Sequence, residues 1–217
     1  MQLSIGVHIP KSGGTSVRTA LQRTFGETLL EDYSDDPELP EFPRQIDPDG
    51  YFLRAATVPE GIRCIYGHFH VSKYRKVRDA TRFTILRHPV DLILSKYFYW
   101  LTVPLGGSVH RYVMENRLSA IEMARMPVIR RIYTHSYFGG ADMGSFDFIG
   151  RHEARTATMD RLAALIQAPI EKELRENVTL DVSRREAILH NPKIRAKLED
   201  ILAPEIDFYE KYAFRDL

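Results

Sequence analysis

The chain has 217 residues and a mass of 25.1 kDa, with 44% hydrophobic and 27% charged residues. These proportions are typical of a soluble globular protein, and the length suits one domain that spans residues 1–217. Lys and Arg number 30 against 29 for Asp and Glu, which gives a net charge of +1. This balance argues against a protein that binds nucleic acid or an anionic membrane through its overall charge.

The single cysteine, Cys64, excludes an intramolecular disulfide and a cysteine-based zinc site, and its apolar neighbours predict a buried thiol.

The sequence contains no segment that predicts export or membrane insertion. No basic region precedes the apolar residues at 3–9, so a signal peptide is not expected. The longest apolar stretch, 90–105, is interrupted by Asp91, Lys96 and Pro104, and falls short of the ~18 apolar residues of a membrane span. We therefore expect a cytoplasmic protein with no membrane span.

Apolar strand patterns alternate with helical patterns along the chain. Residues 3–9 predict a first strand, and the helix that follows has Thr15 or Ser16 as its expected N-cap. Further strands are predicted at 63–67, 82–86 and 146–150, and helices at 90–101, 110–131, 153–167 and in two pieces near the C-terminal end. This alternation predicts a single α/β domain with a P-loop-like central parallel sheet flanked by helices.

Two further segments predict a loop and a capped helix. Residues 32–50 hold four prolines and several acidic residues without helical or strand periodicity, which predicts an exposed loop excursion. Ser183 and Glu186 have the spacing of a capping box, which predicts a helix that breaks at Asn191-Pro192.

The segment between the first strand and the first helix has the composition of an anion-binding loop. It reads Pro10-Lys11-Ser12-Gly13-Gly14-Thr15-Ser16. Two glycines allow consecutive backbone N–H groups to turn toward one ligand, the helix N-terminus adds unpaired amides, and Lys11 adds a positive charge. The alternative is a Gly-rich turn with a solvated lysine. The loop is not a Walker A motif, because that motif places its lysine after the glycines.

Two segments of the chain resemble one enzyme family. Residues 8–16 are similar to the 5′-phosphosulfate loop of sulfotransferases that use 3′-phosphoadenosine 5′-phosphosulfate (PAPS), most closely in the branch of heparan sulfate 2-O-sulfotransferases and bacterial carbohydrate sulfotransferases. Residues 82–89, with Ser95 eight residues after Arg87, resemble the family's 3′-phosphate motif, in which a guanidinium can bind phosphate through two parallel hydrogen bonds. The resemblance implies that PAPS is bound by Lys11, Ser12, Gly13, Gly14, Thr15, Ser16, Arg87 and Ser95.

Other parts of the chain bear on the same resemblance. Phe148-Ile149-Gly150 followed by Glu153 is similar to the family's strand-to-helix turn, and 177–179 (Asn-Val-Thr) is assigned to the cofactor side of the site. The Gly-x-x-Gly-Asp-Trp-Lys segment of cytosolic small-molecule sulfotransferases is absent, and Trp100 is the only tryptophan. The resemblance therefore favours the carbohydrate branch.

A pair of histidines is the candidate for proton transfer. His68 and His70 follow a predicted strand, whose two-residue period would place both imidazoles on one face. On the residues alone, they could also be hydrogen-bonded histidines in a polar cleft or part of a metal site. In the family a His-x-His pair at a strand end supplies the base, so the resemblance implies that His68 is the catalytic base, with His70 as second candidate or substrate contact. It also implies that Lys11 stabilises the leaving group and that no metal is needed.

The resemblance implies a carbohydrate acceptor, PAPS as co-substrate and adenosine 3′,5′-bisphosphate (PAP) as product. The basic residues that could contact the acceptor, unless they are simply solvated, are Lys73, Arg75, Lys76, Arg78, Arg125, Arg130 and Arg131. Two other functions stay open. One is a P-loop-type kinase of a small alcohol, which should show a Walker A motif and a Mg²⁺-binding acid. The other is a non-catalytic relative that binds a nucleotide or a glycan.

Overall fold

Five strands form one sheet in the computed structural model, which describes residues 2–39, 41–167, 169, 188 and 191–213. In chain order they are β1 (Leu3–Val7), β2 (Leu29–Asp32), β3 (Cys64–Gly67), β4 (Ala80–Leu86) and β5 (Phe148–Arg151). Their order across the sheet is β2-β3-β1-β4-β5, and each pair of neighbours is parallel. Parallel pairing requires a long connection between strands, which the helices supply.

Helices connect the strands and follow the last of them. The α-helices are α1 (Gly14–Phe25), α2 (Pro43–Ile46), α3 (Pro48–Leu53), α4 (Pro89–Trp100), α5 (Ser108–Glu115), α6 (Ala120–Ala124), α7 (Pro127–Arg130), α8 (Arg155–Ile166), α9 (Pro192–Ile201) and α10 (Ala203–Tyr212). Short 3₁₀ segments lie at Gly26–Thr28, Val71–Tyr74 and Met143–Ser145, and a π-helical turn at Ile132–Tyr137. The helical region predicted for 110–131 thus consists of three separate short helices.

The two faces of the sheet are covered by different helices. On one face, Val17 of α1 and Leu162 of α8 pack with Cys64 and Phe83 of the sheet. On the other face, Ile5 belongs to a larger apolar cluster with side chains of α4, α6, α9 and α10. Side chains of both faces are therefore buried, as a parallel sheet requires. This three-layer arrangement confirms the predicted single α/β domain with a central parallel sheet flanked by helices.

β1 lies at the centre of the sheet, where the strand order changes direction. β3 and β2 lie on one side of it, and β4 and β5 on the other. Loops that follow the carboxyl ends of parallel strands meet at one edge of a sheet, and open α/β sheets bind ligands at such a switch point. The predicted anion loop, His68, Arg87 and Glu153 all follow strand ends at this edge.

Local structure differs from the predictions at the first helix and at the sheet edge. The N-cap of α1 is Gly13, which makes no side-chain cap bond, while Thr15 and Ser16 lie inside the helix. The capping prediction is wrong because the chain enters the helix through a left-handed residue rather than an extended one. β2 is not predicted by periodicity, since this edge strand has four residues of which two are acidic.

The segment 32–50, predicted as an exposed excursion, contributes several buried side chains. Glu38, Phe42 and Arg44 are buried, and the exposed positions among the described residues of this segment are 34, 41, 43 and 46–49. Glu38 and Arg44 are buried because they bind partners that are distant in sequence. Glu38 pairs with Lys96, and Arg44 donates hydrogen bonds to backbone carbonyls in the region 135–139.

Two sequence predictions concern residues that the structure does not describe. These are the cofactor-side segment 177–179 and the capping box of Ser183 and Glu186. Within the described ranges, no helix is both long and apolar enough to cross a membrane.

Candidate active site

The loop after β1 has an unusual backbone. Lys11 and Gly13 both have positive φ angles, of 69° and 81°. This left-handed conformation costs free energy for lysine but is readily adopted by glycine. Gly14 has no room for a side chain, because a Cβ there would lie 2.0 Å from the His8 imidazole. The loop leads directly into the N-terminus of a twelve-residue helix, whose unpaired amides can bind an anion.

Arg87 at the end of β4 contacts this loop. Its Nη1 donates a hydrogen bond of 2.8 Å to the Lys11 carbonyl, and the residue is 8% exposed. The Tyr133 hydroxyl fixes the backbone of Arg87, donating to its carbonyl at 2.6 Å and accepting from its N–H at 3.1 Å. The structure therefore brings the predicted 3′-phosphate ligand against the predicted 5′-phosphate loop.

The predicted hydroxyl ligands have different surroundings. Ser12 is buried, and within the part of the chain that the structure describes its Oγ has no hydrogen-bond partner. Thr15 and Ser16 lie in the first turn of α1, close to the loop in sequence. Ser95 is buried in the second turn of α4, next to Lys96. Of these groups, Ser12 is the one whose buried oxygen a bound ligand could satisfy.

A cavity of about 360 Å³ lies beside the loop. Lys11 and His68 both line it, which brings the loop lysine and the predicted base together. Much of the remaining wall is apolar or aromatic and includes Leu39, Tyr99, Trp100, Val103, Pro104 and Val109. An apolar cavity with a few converging polar groups is the usual form of a small-molecule site.

His68 is placed to exchange a proton with a molecule in this cavity. Its side chain is 20% exposed, and its Nδ1 lies 4.0 Å from Oδ2 of Asp36. Its Nε2 is buried and has no hydrogen-bond partner among the described residues. Burial, together with the positive charges of Lys96 and Arg18, lowers the pKa of His68 to about 3. The imidazole is therefore neutral at physiological pH and has a lone pair available for a proton.

Charged side chains fix one wall of the cavity. The Lys11 Nζ lies 4.0 Å from the centre of the Tyr99 ring, a cation–π contact. Lys96 and Glu38 form a buried ion pair, and Oε1 of Glu38 accepts a hydrogen bond of 3.4 Å from the Tyr137 hydroxyl. Burial raises the pKa of Glu38, an effect that the charge of Lys96 opposes. This pair attaches the segment after β2 to α4 and so fixes this wall of the cavity.

Two aromatic side chains, His8 and Tyr33, pack against His68, and Tyr66 lies behind His8; the sequence motifs did not assign them a role. The His8 ring lies 4.6 Å from the His68 ring and stacks on Tyr66 at 5.1 Å. Tyr33 hydrogen-bonds to Nδ1 of His8 at 2.9 Å, and its ring lies 4.8 Å from that of His68. Burial lowers the pKa of His8 well below its usual range, so His8 adds no charge. The cluster orients His68 by packing.

His70 lies in a different environment from His68. β3 ends at Gly67, so the strand period does not extend to the histidines, and His70 lines a separate cavity of about 440 Å³. The expectation that both imidazoles share one face is therefore wrong. His70 is fully buried, and its Nδ1 lies 2.7 Å from the Ser72 hydroxyl. Burial and the charge of Arg44 lower its pKa to about 3. Within the described residues, no group of three potential metal ligands includes either histidine.

The basic residues predicted as acceptor contacts lie away from the cavity of Lys11 and His68. Lys73 pairs with Asp32 at 2.8 Å and with Asp35 at 3.2 Å. Arg75 and Arg78 line the cavity of His70, and a third depression is lined by Arg125, Arg130 and Arg131. Lys76 is exposed. Among the described lining residues of the first cavity, none of these seven is found.

The turn after β5 brings two side chains to the anion loop that the sequence did not single out. A Cβ at Gly13 would lie 3.1 Å from both the His152 ring and the Arg155 guanidinium. Arg155 thus adds a second guanidinium, after that of Arg87, close to the loop. Its position at the carboxyl end of a parallel strand is the signal that could have identified it.

Glu153 in the same turn has a structural role. Its Oε1 accepts a hydrogen bond of 2.7 Å from the His88 N–H, and its Oε2 accepts one of 2.7 Å from the Tyr209 hydroxyl. These bonds connect the turn after β5 to the start of α4 and to α10. Since both oxygens are engaged, Glu153 is poorly suited to act as a base.

Comparison with known proteins finds similarity only among solved structures. No protein-family model and no curated protein sequence matches the chain. The chain is similar to a sulfotransferase from Alicyclobacillus acidocaldarius, with a TM-score of 0.48 and 14% identity over 100% of this chain and 98% of the other. It is also similar to the mouse sulfotransferase SULT7A1 complexed with PAP, with a TM-score of 0.48 and 10% identity over 96% of this chain and 88% of that one. At such low similarity, the function has to be argued from the site itself.

Proposed function

We propose that the protein is a sulfotransferase that moves a sulfuryl group from PAPS to a hydroxyl group of a carbohydrate. The observation that carries the proposal is that Lys11 and His68 line one cavity. Lys11 belongs to a loop shaped for an anion, and His68 is a neutral imidazole. A hydroxyl group beside His68 would therefore face an anion bound at Lys11.

The loop and its neighbours fit the two phosphate groups of the donor. Gly13 adopts a left-handed conformation, and the absence of a side chain at Gly14 lets the loop approach His8 closely. The Oγ of Ser12, which no described residue contacts through a hydrogen bond, can donate to a phosphate oxygen. In this proposal the 5′-phosphosulfate lies against 11–16, and the 3′-phosphate is bound by Arg87 with Ser95.

The proposed reaction is an in-line transfer in which the protein positions the reactants and moves one proton. PAPS supplies the sulfuryl group. His68 accepts the proton of the acceptor hydroxyl while its oxygen forms a bond to sulfur. Lys11 stabilises the negative charge that develops on the bridging oxygen as the bond from sulfur to the 5′-phosphate breaks. The products are a sulfate ester, PAP and the proton on His68.

The low pKa of His68 fits a base that works beside an anion. In the protein alone, burial and two cations favour the neutral imidazole. A negatively charged donor near Lys11 would offset those cations and raise the pKa of His68, which strengthens it as a base. Because His70 lines the other cavity, we assign the base to His68 and keep His70 as the second candidate.

The wall of the cavity supports a carbohydrate with little negative charge. Tyr99 and Trp100 offer aromatic surface to the apolar face of a sugar ring. Asp36 and Glu38 also line the cavity, and carboxylates accept hydrogen bonds from hydroxyl groups while repelling uronic acids. The acceptor we propose is therefore a neutral sugar hydroxyl.

The first test measures the melting temperature with PAP and with ATP–Mg²⁺. At about 100 times its dissociation constant, a ligand stabilises the fold by ~2.7 kcal/mol, which shifts the melting temperature of a chain of this size by several degrees. We expect this shift with PAP and a much smaller one with ATP–Mg²⁺. The reverse order would favour the kinase alternative.

The second test screens neutral glycans with PAPS that carries a radiolabelled sulfuryl group. Label should pass to at least one glycan with the wild-type protein and not with the Lys11→Ala variant. Binding of PAP without transfer to any acceptor would favour the non-catalytic alternative.

A further inference from the structure

The cavity beside the anion loop has a polar part and an apolar part. The polar part contains His68 and Asp36, whose Nδ1 and Oδ2 atoms are 4.0 Å apart. The apolar part is formed by Leu39 and by the segment 103–109, which leads from α4 into α5. A Cβ at Gly107 would lie 2.8 Å from Cδ2 of Leu39, so these two elements are in contact. A ligand that fills the cavity therefore meets two kinds of surface.

The segment 103–109 offers a ligand hydrocarbon rather than hydrogen bonds. Its side chains in the described lining are those of Val103, Pro104 and Val109. His110 lines the cavity next to them, but its Nδ1 accepts a hydrogen bond of 3.1 Å from the Gly106 N–H, and its Nε2 donates one of 3.0 Å to the Trp100 carbonyl. Both ring nitrogens are thus engaged, and the same two bonds attach the segment to the end of α4.

A buried ion pair connects the polar part to the apolar one. Lys96 and Glu38 line the cavity, are 3% and 5% exposed, and pair with each other. The Lys96 Nζ also lies 5.6 Å from the centre of the Trp100 ring, where the apolar part begins. Because the two charges compensate, the pair provides polar atoms for hydroxyl groups without adding net charge to the cavity.

The apolar part is a poor environment for a second sugar. Every ring of an oligosaccharide carries hydroxyl groups, and a hydroxyl buried against hydrocarbon loses its bonds to water without replacement. A hydrocarbon group in the same place is stabilised by leaving water. Pro104 is exposed, and the nearby Leu101 and Leu105 are 43% and 50% exposed, so apolar surface continues where the cavity opens to solvent.

We infer that this cavity binds a glycoside in which one sugar is joined to an apolar alkyl aglycone. The sugar lies beside His68 and Asp36, and the aglycone packs along Leu39 and Val103 toward the opening. The inference rests on the proposed function in taking this glycoside as the sulfuryl acceptor. It adds the chemical class of the acceptor and disfavours an unsubstituted oligosaccharide.

Fluorescence of the full chain tests the ligand class without any nucleotide. Trp100 lines the cavity and is the only tryptophan of the sequence, so its emission reports binding there. The probes are methyl, butyl and hexyl β-glucoside, used below the concentration at which they form micelles. We expect saturable changes and an affinity that rises about fourfold for each methylene group that becomes buried. Maltose, which has two sugar rings and no alkyl group, should bind no better than methyl glucoside.

A pair of variants connects the alkyl preference to the segment 103–109. Val103→Asn should weaken binding of hexyl glucoside about tenfold, because a half-buried hydrocarbon contact is lost, and leave methyl glucoside unchanged. Leu105→Asn is the matched control, since Leu105 belongs to the same segment but is not part of the described lining. It should leave the binding of both glucosides unchanged. Amide spectra report whether each variant folds.

Transfer of label from PAPS separates this inference from the proposed function. Hexyl glucoside should accept the sulfuryl group with a lower KM than methyl glucoside. Transfer with equal KM for the two would overturn the inference and leave sulfuryl transfer intact. Binding that strengthens with chain length, without transfer to any glucoside, would support the ligand class and contradict sulfuryl transfer.

Three binding results would also overturn the inference. The first is the absence of saturable binding by hexyl glucoside. The second is an affinity for maltose that exceeds the affinity for hexyl glucoside. The third is unchanged binding of hexyl glucoside by the folded Val103→Asn variant.

Discussion

His68 and His70 are two residues apart, yet they lie in two cavities with different chemistry. Burial lowers the pKa of each to about 3, so both imidazoles are neutral. His68 shares its cavity with Lys11 and an aromatic wall, whereas His70 shares its own with exposed arginines. The pKa therefore does not distinguish the two histidines. They differ in the other side chains that line the same cavity.

The largest expected effect is on turnover and distinguishes the two histidines. His68→Ala should reduce turnover by about 10²–10⁴, the usual range for loss of a general base, and leave the dissociation constant of PAP nearly unchanged. His70→Ala should cost much less, and Lys11→Ala should weaken both PAP binding and turnover. The assay uses radiolabelled PAPS with the acceptor found by screening. Full turnover by His68→Ala with an inactive His70→Ala would reverse the assignment.

Arg87→Ala should produce the next largest effect, on nucleotide affinity. Loss of a charge-assisted contact with the 3′-phosphate costs on the order of 1.5–3 kcal/mol, or about tenfold or more in the dissociation constant of PAP. The affinity for 5′-AMP should fall less, and only because the hydrogen bond to the Lys11 carbonyl is lost. Calorimetric titration measures both, with the exposed Arg111→Gln as control. Equal losses for the two nucleotides would contradict the 3′-phosphate assignment.

The pH dependence of stability should show the burial of His70. The folded protein keeps this imidazole neutral down to pH about 3, whereas the unfolded chain takes up the proton below its reference pKa of ~6.5. The free energy of unfolding should therefore decrease as the pH falls below ~6.5, by about 2 kcal/mol at pH ~5 from this group. The variant His70→Asn has no imidazole at this position. Its free energy of unfolding, measured with urea, should therefore decrease less over the same pH interval. His68→Asn should reduce the loss by a similar amount, since the pKa of His68 is lowered to the same value.

The smallest expected effect is on stability, and it concerns one glycine near each cavity. Gly13 and Gly140 have φ angles of 81° and 76°, so alanine at either position costs about 1 kcal/mol of backbone strain. A Cβ at Gly140 meets open space, whereas one at Gly13 lies 3.1 Å from His152 and Arg155. Gly13→Ala should therefore destabilise the protein more than Gly140→Ala in thermal unfolding. Equal destabilisation would mean that the side chains of His152 and Arg155 move away from the added methyl group without a cost in free energy.

The central part of the fold was predictable from sequence because its signals are local. β1, β3, β4 and β5 are short apolar runs ended by Pro, Gly or charged residues, and periodicity locates them within a few residues. β2 has no such signal. The buried part of 32–50 depends on the pairing of Glu38 with Lys96, 58 positions apart, which no local pattern reveals.

The site was predictable only in part, for a related reason. The types and spacing of the glycines, Lys11 and Arg87 are enough to predict an anion site. The separation of His68 from His70 follows from the residue at which β3 ends, and an error of one or two residues there changes the face of every later side chain. The contribution of Arg155 depends on the order of strands, which brings β5 to the edge where β4 and β1 also end.

The burial of Cys64 has a practical consequence for labelling. The residue is fully buried in β3, and burial raises the pKa of its thiol to about 12. Because the thiolate is the form that reacts with maleimides, this position stays unmodified in the folded protein. A cysteine introduced at Leu53, which is 75% exposed at the end of α3, would then be the single attachment point for a fluorophore. Such a dye, on the segment that runs between the two cavities, could report occupancy of either one by a change in emission.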